Sequence, residues 1–284
     1  MAKPTARWTE RLEHLDRRII FLVVAVGILV PLVAPLGLPV TVTEPVQAFR
    51  DQIDGLPPGS AVLVSADWDP GSRAELLPAT VALFHHLFQR DVRVLIISLW
   101  PAGPRMVEQA LAEVRGAHTK TYGKDYVNLG FKEGAEVVMV SLGDNLPATF
   151  PADYYGTPVS TLPVLRGIKS YKDIAMVITL SAGYPGTKEW VQQVQDRYNM
   201  PMISACAGVS APEYYPYYQA GQLKGLIGGL KASAEYETVL ERKGFAVAAM
   251  DAQALGHYII IGFIILGNAL YLINKWTNLG ARKE

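Results

Sequence analysis

Hydrophobic positions in this chain come in two kinds of run: long and uninterrupted near both ends, short and regularly spaced between them. Residues 19–42 and 252–274 contain no Asp, Glu, Lys or Arg. A hydrocarbon core about 30 Å thick takes roughly 20 apolar residues of helix to cross, and each run is long enough. The pattern therefore predicts a layout in five parts. A cytoplasmic segment, 1–18, precedes a transmembrane helix over 19–42. A soluble domain over 43–250 leads to a second transmembrane helix over 252–274 and a cytoplasmic tail, 275–284. No small-x-small cleavage site follows the first run, so it reads as a retained signal anchor rather than a removed leader. The second run carries Asn268, read as an interhelical hydrogen-bonding residue, with Gly262 and Gly267 as small positions for close helix approach.

The middle domain has a different rhythm. Five short apolar runs read as buried strands: Ala61–Ser65, Arg93–Ser98, Glu136–Ser141, Met176–Ser181 and Met200–Ser204. Val/Ile/Leu runs without alternation suit strands covered on both faces, as in parallel sheets. Each ends in serine and opens into a turn rich in Gly or Pro. Helical patterns follow over Arg73–Gln89, Met106–Arg115 and Lys188–Tyr198, and again after Ser210. Capping boxes are expected at Ser72/Glu75 and Ser210/Glu213. Alternation of this kind predicts right-handed βαβ units and an α/β, doubly wound, mostly parallel Rossmann-like sheet of about five strands. Two stretches break the rhythm, 116–135, with a short extra strand expected near Tyr126–Leu129, and the proline-rich 145–173. Residues 221–237 read as a glycine-bearing helix packed closely on a neighbour.

Charge adds orientation. Lys3, Arg7, Arg11, Arg17 and Arg18 precede the first run, and Lys275, Arg282 and Lys283 follow the second. Positive flanks stay cytoplasmic, which places both termini inside and the domain extracytoplasmic. The whole chain balances 26 basic against 26 acidic residues, so it offers no basic field for nucleic acid. The single cysteine, Cys206, forms no internal disulfide and reads as a core residue.

In an open parallel sheet, ligands bind beyond the carboxyl ends of the strands. The residues expected on that rim are Asp67, Asp69, Trp100, Asp144, Tyr184, Thr187 and Ser210, as a small-ligand site. Asp67, Asp69 and Asp144 together would suit a divalent metal, although turn chemistry explains Asp69 equally well. The turn Gly183-Tyr-Pro-Gly-Thr187 before a helix suits an anion, but it matches neither the phosphate-cradling lysine loop nor the dinucleotide glycine pattern. No cofactor is indicated, and no metal or catalytic residue is assigned.

The run MPMISACAGVSAPEYYPYYQAG (Met200–Gly221) resembles the serine-bearing segment of membrane-anchored serine peptidases of the ClpP/crotonase type. RVLIISLWPAGP (Arg93–Pro104) resembles that family's SPGG strand. The resemblance implies Ser210 as nucleophile and Lys224 as its base. The chain departs from it at Leu99–Gly103, which lacks the paired glycines of an oxyanion hole, and helix capping accounts for Ser210 without catalysis. The tyrosines Tyr214, Tyr215, Tyr217 and Tyr218 suit an interface, and equally the packing of a core. The expected function is thus a two-pass, bilayer-anchored protein whose α/β domain self-associates as a homo-oligomer and offers a ligand site at the strand ends, structural rather than catalytic. The alternative is a membrane-bound hydrolase, serine-type through Ser210 and Lys224 or metal-assisted through Asp67, Asp69 and Asp144.

Overall fold

The computed structural model describes residues 16–281, the last six of these by backbone alone. The chain divides into two units, residues 39–246 and the terminal segments 1–38 with 247–284.

In the central unit, helix α2 (Glu44–Asp54) leads into β1 (Ala61–Asp67), α3 (Arg73–Gln89), β2 (Arg93–Ser98), α4 (Gly103–Val114) and β3 (Tyr126–Phe131); α1 belongs to the terminal unit below. Then come α5 (Ala135–Thr149), β4 (Met176–Ser181) and α6, built from Thr187–Trp190, a π-helical turn Val191–Gln195 and Asp196–Tyr198. The unit closes with β5 (Met202–Cys206), α7 (Ala211–Gln219), β6 (Leu226–Gly228) and α8 (Gly229–Val239). Six parallel strands lie in the order β3-β2-β1-β4-β5-β6. This is the doubly wound Rossmann-type order, with its switch point between β1 and β4.

Strand residues alternate between two cores. Val62, Val64, Val94, Ile96 and Ile178 join α2, α3, α4 and α8 on one face. Leu63, Leu95, Ile97, Val127 and Val177 join α5, α6, α7 and the 150–174 excursion on the other. That two-sided burial is why the strands read as continuous apolar runs.

Three sequence expectations are corrected. Glu136–Ser141 is not a strand but the first turns of α5. Val138, Met139, Leu142 and Leu146 are buried at helical spacing, so tertiary packing overrides the β-branched composition. The third strand is instead Tyr126–Phe131, where the short extra strand was expected. A sixth strand, Leu226–Gly228, lies inside the stretch read as helix; Gly229, at φ +72°, turns the chain from it into α8. Neither expected capping box forms, since the Ser72 and Ser210 side chains make no cap bond.

In the terminal unit, α1 (Arg17–Val33) is capped by Asp16, whose carboxylate accepts from the Arg18 amide at 2.9 Å. Its 17 residues span about 25 Å at 1.5 Å per residue. The expected span over 19–42 therefore shortens. Pro35 disfavours helical geometry at Ala34, Gly37 takes φ +70°, and residues 34–42 are not helical. The C-terminal helix α9 (Phe245–Ala281) contains the one candidate membrane span among the described residues, Phe245–Lys275. Only 11% of its apolar window is buried. Within this unit Gly27 meets Ile259 so closely that a methyl group there would overlap it, and Gly256 faces Ile28. Buried Asp251 accepts hydrogen bonds from the amides of Gly37 (2.8 Å) and Leu38 (3.0 Å). Lys3, Arg7, Arg11, Arg282 and Lys283, which carried much of the orientation argument, lie outside the described residues.

Candidate functional site

The serines that end the strands tie the rim together. Ser98 donates to the Ala66 carbonyl at 2.7 Å and accepts from the Trp100 amide at 3.0 Å, joining β2 to β1. Gly103 sits so tightly against Ser98 and the Ala66 carbonyl that no β-carbon fits. Across the switch point, the Ala182 amide donates to the Asp67 carbonyl, and the Ala207 amide donates to that of Ser181. Thr187 is buried in a chain of hydroxyls, 2.9 Å from Thr179 Oγ1 and 2.7 Å from Ser204 Oγ. Gly186 is glycine for the same reason as Gly103, with Ser181 Oγ and the Gly183 carbonyl where a side chain would go.

Asp67, at the end of β1, is fully buried. One carboxylate oxygen accepts from the Leu99 amide at 2.6 Å and the other from Ser65 Oγ at 2.6 Å. The Trp190 indole N–H faces the same carboxyl without closing a full hydrogen bond. Burial pushes the Asp67 acid up to about 7, against these bonds, which pull the other way. It is a structural tie between β1 and the β2 turn, closed to solvent.

The amides that an anion would use are already occupied by carboxylates of the chain itself. Asp69 takes the Gly71 amide at 3.0 Å, Glu189 the Gly186 amide at 2.9 Å, and Glu75 the Gly208 amide at 2.6 Å. These loops follow β1, β4 and β5, where a doubly wound fold would hold a phosphate. Trp100 closes the crevice from above, its indole N–H donating to the Pro185 carbonyl at 2.9 Å and its ring lying against Gly183.

Of the seven expected rim residues, six lie beyond or at strand ends, but Asp67 and Thr187 are interior. Tyr184 is exposed and donates to Glu136 at 3.1 Å. Ser210 is half-buried at the start of α7. Asp144 is corrected: with Glu136–Ser141 helical, it lies three turns along α5, exposed and away from the strand ends. Among the described residues no group of three or more His, Cys, Asp or Glu side chains is arranged for a metal, so the Asp67/Asp69/Asp144 set is not assembled. The peptidase-like arrangement is not assembled either. The Leu99–Gly103 turn follows β2 and Ser210 follows β5, three strand spacings apart, roughly 14 Å at about 4.8 Å each. No hydrogen bond joins Ser210 to Lys224 among the described residues. Burial pushes the Cys206 thiol up to about 12, the reverse of an activated nucleophile.

What the rim does present is apolar surface. Phe131, Val137, Tyr154, Tyr184 and Val209 are exposed on the segments that follow β3, β4 and β5, with Val209 88% and Val137 72% accessible. The expected rim included Tyr184 but not Phe131, Val137, Tyr154 or Val209, which sit singly in β3, in α5 and in two turns, with no periodicity to mark them.

A second concavity lies elsewhere, along the outer face of α3. It encloses about 540 Å³ and is lined by Arg73, Leu77, Pro78, Val81, His85 and Arg242, among others. His85, on α3, and His118 meet at 2.8 Å between Nδ1 and Nε2. Burial first, then the Arg242 charge, holds His85 down at about 4, and His118 is lowered by the same two causes.

Fold and site together define a doubly wound, Rossmann-like α/β protein with, among the described residues, one helix long and apolar enough to cross a membrane. The chain matches no known protein family, and no curated protein matches it. Among solved structures it is similar to the crystal structure of an alpha,alpha-trehalose 6-phosphate synthase from Burkholderia multivorans, at 13% identity and a TM-score of 0.29. That alignment covers 91% of this chain and 49% of the other, so the chain spans about half that protein's length. A likeness this slight bears on neither fold nor activity.

Proposed function

We propose that this is a two-pass membrane protein whose α/β domain is a non-catalytic module, self-associating through the carboxyl rim of its sheet. The observation that carries the reading is the character of that rim. Its inward polar groups bond one another, while its outward surface exposes Phe131, Val137, Tyr154, Tyr184 and Val209. Exposed aromatic side chains such as Phe131, Tyr154 and Tyr184 are of the type enriched in protein contacts. A second copy is the partner the chemistry favours. The α/β unit, with 18 basic and 21 acidic residues, carries little net charge to repel a second copy, and tethering to one bilayer side raises their mutual concentration.

Two-pass anchoring is supported by the fit of α1 against α9 and by Asp251. That acid, six residues into an otherwise apolar helix, has its carboxylate satisfied by the backbone just after α1. Removing the N-terminal segment would leave it buried without those donors, which favours a helix that is kept. Orientation with both termini cytoplasmic remains the reading from the basic flanks. The test is the mass of the full-length chain in detergent at micromolar concentration. A multiple of 31.0 kDa with an intact N-terminus is expected; a monomer, or a chain beginning after residue 38, would refute the corresponding half.

A further inference from the structure

The outer face of α3 is unusual for a helix surface. Such faces are normally charged. Here the cavity wall from Arg73 to His85 carries no polar side chain between them: Ala74 is exposed, Leu77 and Val81 are half-buried, and Pro78 and Ala82 are buried. From Ala74 to Ala82 the stripe runs about 12 Å, at about 1.5 Å per residue. Pro78 has no N–H to offer the Ala74 carbonyl one turn earlier, so the wall also carries a backbone acceptor without its helical donor. The volume, about 540 Å³, lies within the roughly 300–1,000 Å³ of small-molecule pockets.

The charges on the rim select the ligand. Glu237 is engaged by the Ala246 amide and packed against Gly244. His85 is engaged by His118 and held neutral. Glu113 is exposed at the end of α4 and forms no ion pair with either arginine. Arg73 and Arg242 take part in no ion pair among the described residues. Arg73 is exposed and well solvated, whereas Arg242 is half-buried, beside the exposed ring of Phe245. A partly desolvated guanidinium without a carboxylate gains most from one, because its planar fork takes both oxygens at once. The exposed Glu113 sets the same rim against multiply charged anions such as phosphate esters.

We propose that this groove binds a monocarboxylate amphiphile of the fatty-acid class, its hydrocarbon chain along Ala74, Leu77 and Val81 and its carboxylate on Arg242. Both halves of the ligand meet a complementary surface, and neither half alone would use the whole groove. The site shares no residue with the carboxyl rim and stands or falls separately from self-association.

The experiment uses the full-length chain in lipid nanodiscs, a diazirine-bearing hexadecanoic acid and peptide mapping of the adducts. Labelling is expected at residues 74–82 and 245, competed by unlabelled hexadecanoate and not by equimolar hexadecanol. Ala74→Trp, which fills the groove from an exposed position, should lower that labelling at least tenfold. Val81→Trp provides the same test should the first variant melt early. Arg242→Gln should weaken competition by hexadecanoate about tenfold, the loss of one charge-assisted contact. Adducts confined to residues 17–33 and 247–275 would overturn the proposal, as would labelling of α3 that is unchanged by filling the groove. Equal competition in Arg242→Gln would overturn the carboxylate contact.

Discussion

The carboxyl rim of the sheet and the groove along α3 are both places where a ligand would be sought, and they are built in opposite ways. At the rim, topology promises a crevice but the hydrogen bonds close it. Asp69, Glu75 and Glu189 occupy the free loop amides, Trp100 spans the switch point, and Asp67 is sealed beneath. Along α3 nothing in the topology calls for a site, yet apolar side chains line an open groove, and Arg73 and Arg242 form no ion pair among the described residues. The difference teaches that strand order says where a doubly wound fold can bind, while the accounting of donors and acceptors says whether it does.

The contrast breaks first under glycine replacement. Gly103→Val should be the most damaging change, because its β-carbon must displace Ser98 and the Ala66 carbonyl at the centre of the rim. Overpacking of this kind costs about 3 kcal/mol or more where backbone blocks the way, and is read as loss of the cooperative melt or of expression. Thr187→Val comes next. It leaves Thr179 and Ser204 without their shared hydroxyl, for about 1–3 kcal/mol, visible as a lowered melting temperature with an unchanged circular dichroism spectrum. At the groove, Ala74→Trp should move the melting temperature hardly at all, within about 0.5 kcal/mol for an exposed position. A loss as large as that of Thr187→Val would mean the groove is as tightly built as the rim.

Acidity sharpens the same comparison. The Asp67 acid is raised from 3.8 to about 7, so the folded state holds its proton more tightly. That contribution is complete below pH 4 and is lost as pH rises to 7. His85 is lowered from 6.5 to about 4, so its contribution is present above 6.5 and is lost as pH falls to 4, with His86 and His118 lowered in the same direction. Rim and groove therefore oppose each other across one window. Asp67→Asn should make the protein more acid-labile between pH 7 and 4, and His85→Phe less so, as followed by thermal melts at several pH values. Parallel slopes in the two variants would contradict the assignment.

Much of the fold was legible because β1, β2, β4 and β5 are buried on both faces and need unbroken apolar runs, and turn residues punctuate them. Glu136–Ser141 misled because valine favours strands locally, whereas only three-dimensional packing selects Val138, Leu142 and Leu146 as one helix face. Leu226–Gly228 is too short to show a period of its own. The serine that ends each run was visible; its purpose was not, since bonds such as Ser98 to Ala66 and Ser204 to Thr187 join atoms whose proximity depends on how the strands are aligned. The α3 groove was hidden for a related reason. Its stripe looks like an ordinary buried helix face until the sheet is seen to cover the opposite side.

The central claim, that copies meet through the carboxyl rim, is tested most directly by oxidative cross-linking in intact membranes. Val209→Cys places a thiol on the exposed rim, and native Cys206 is buried and unreactive. Lys124→Cys places one at the exposed turn before β3, on the opposite edge of the sheet. The account predicts a covalent dimer from Val209→Cys and little from Lys124→Cys. Equal yields from both positions, or a monomer from Val209→Cys under full oxidation, would contradict it.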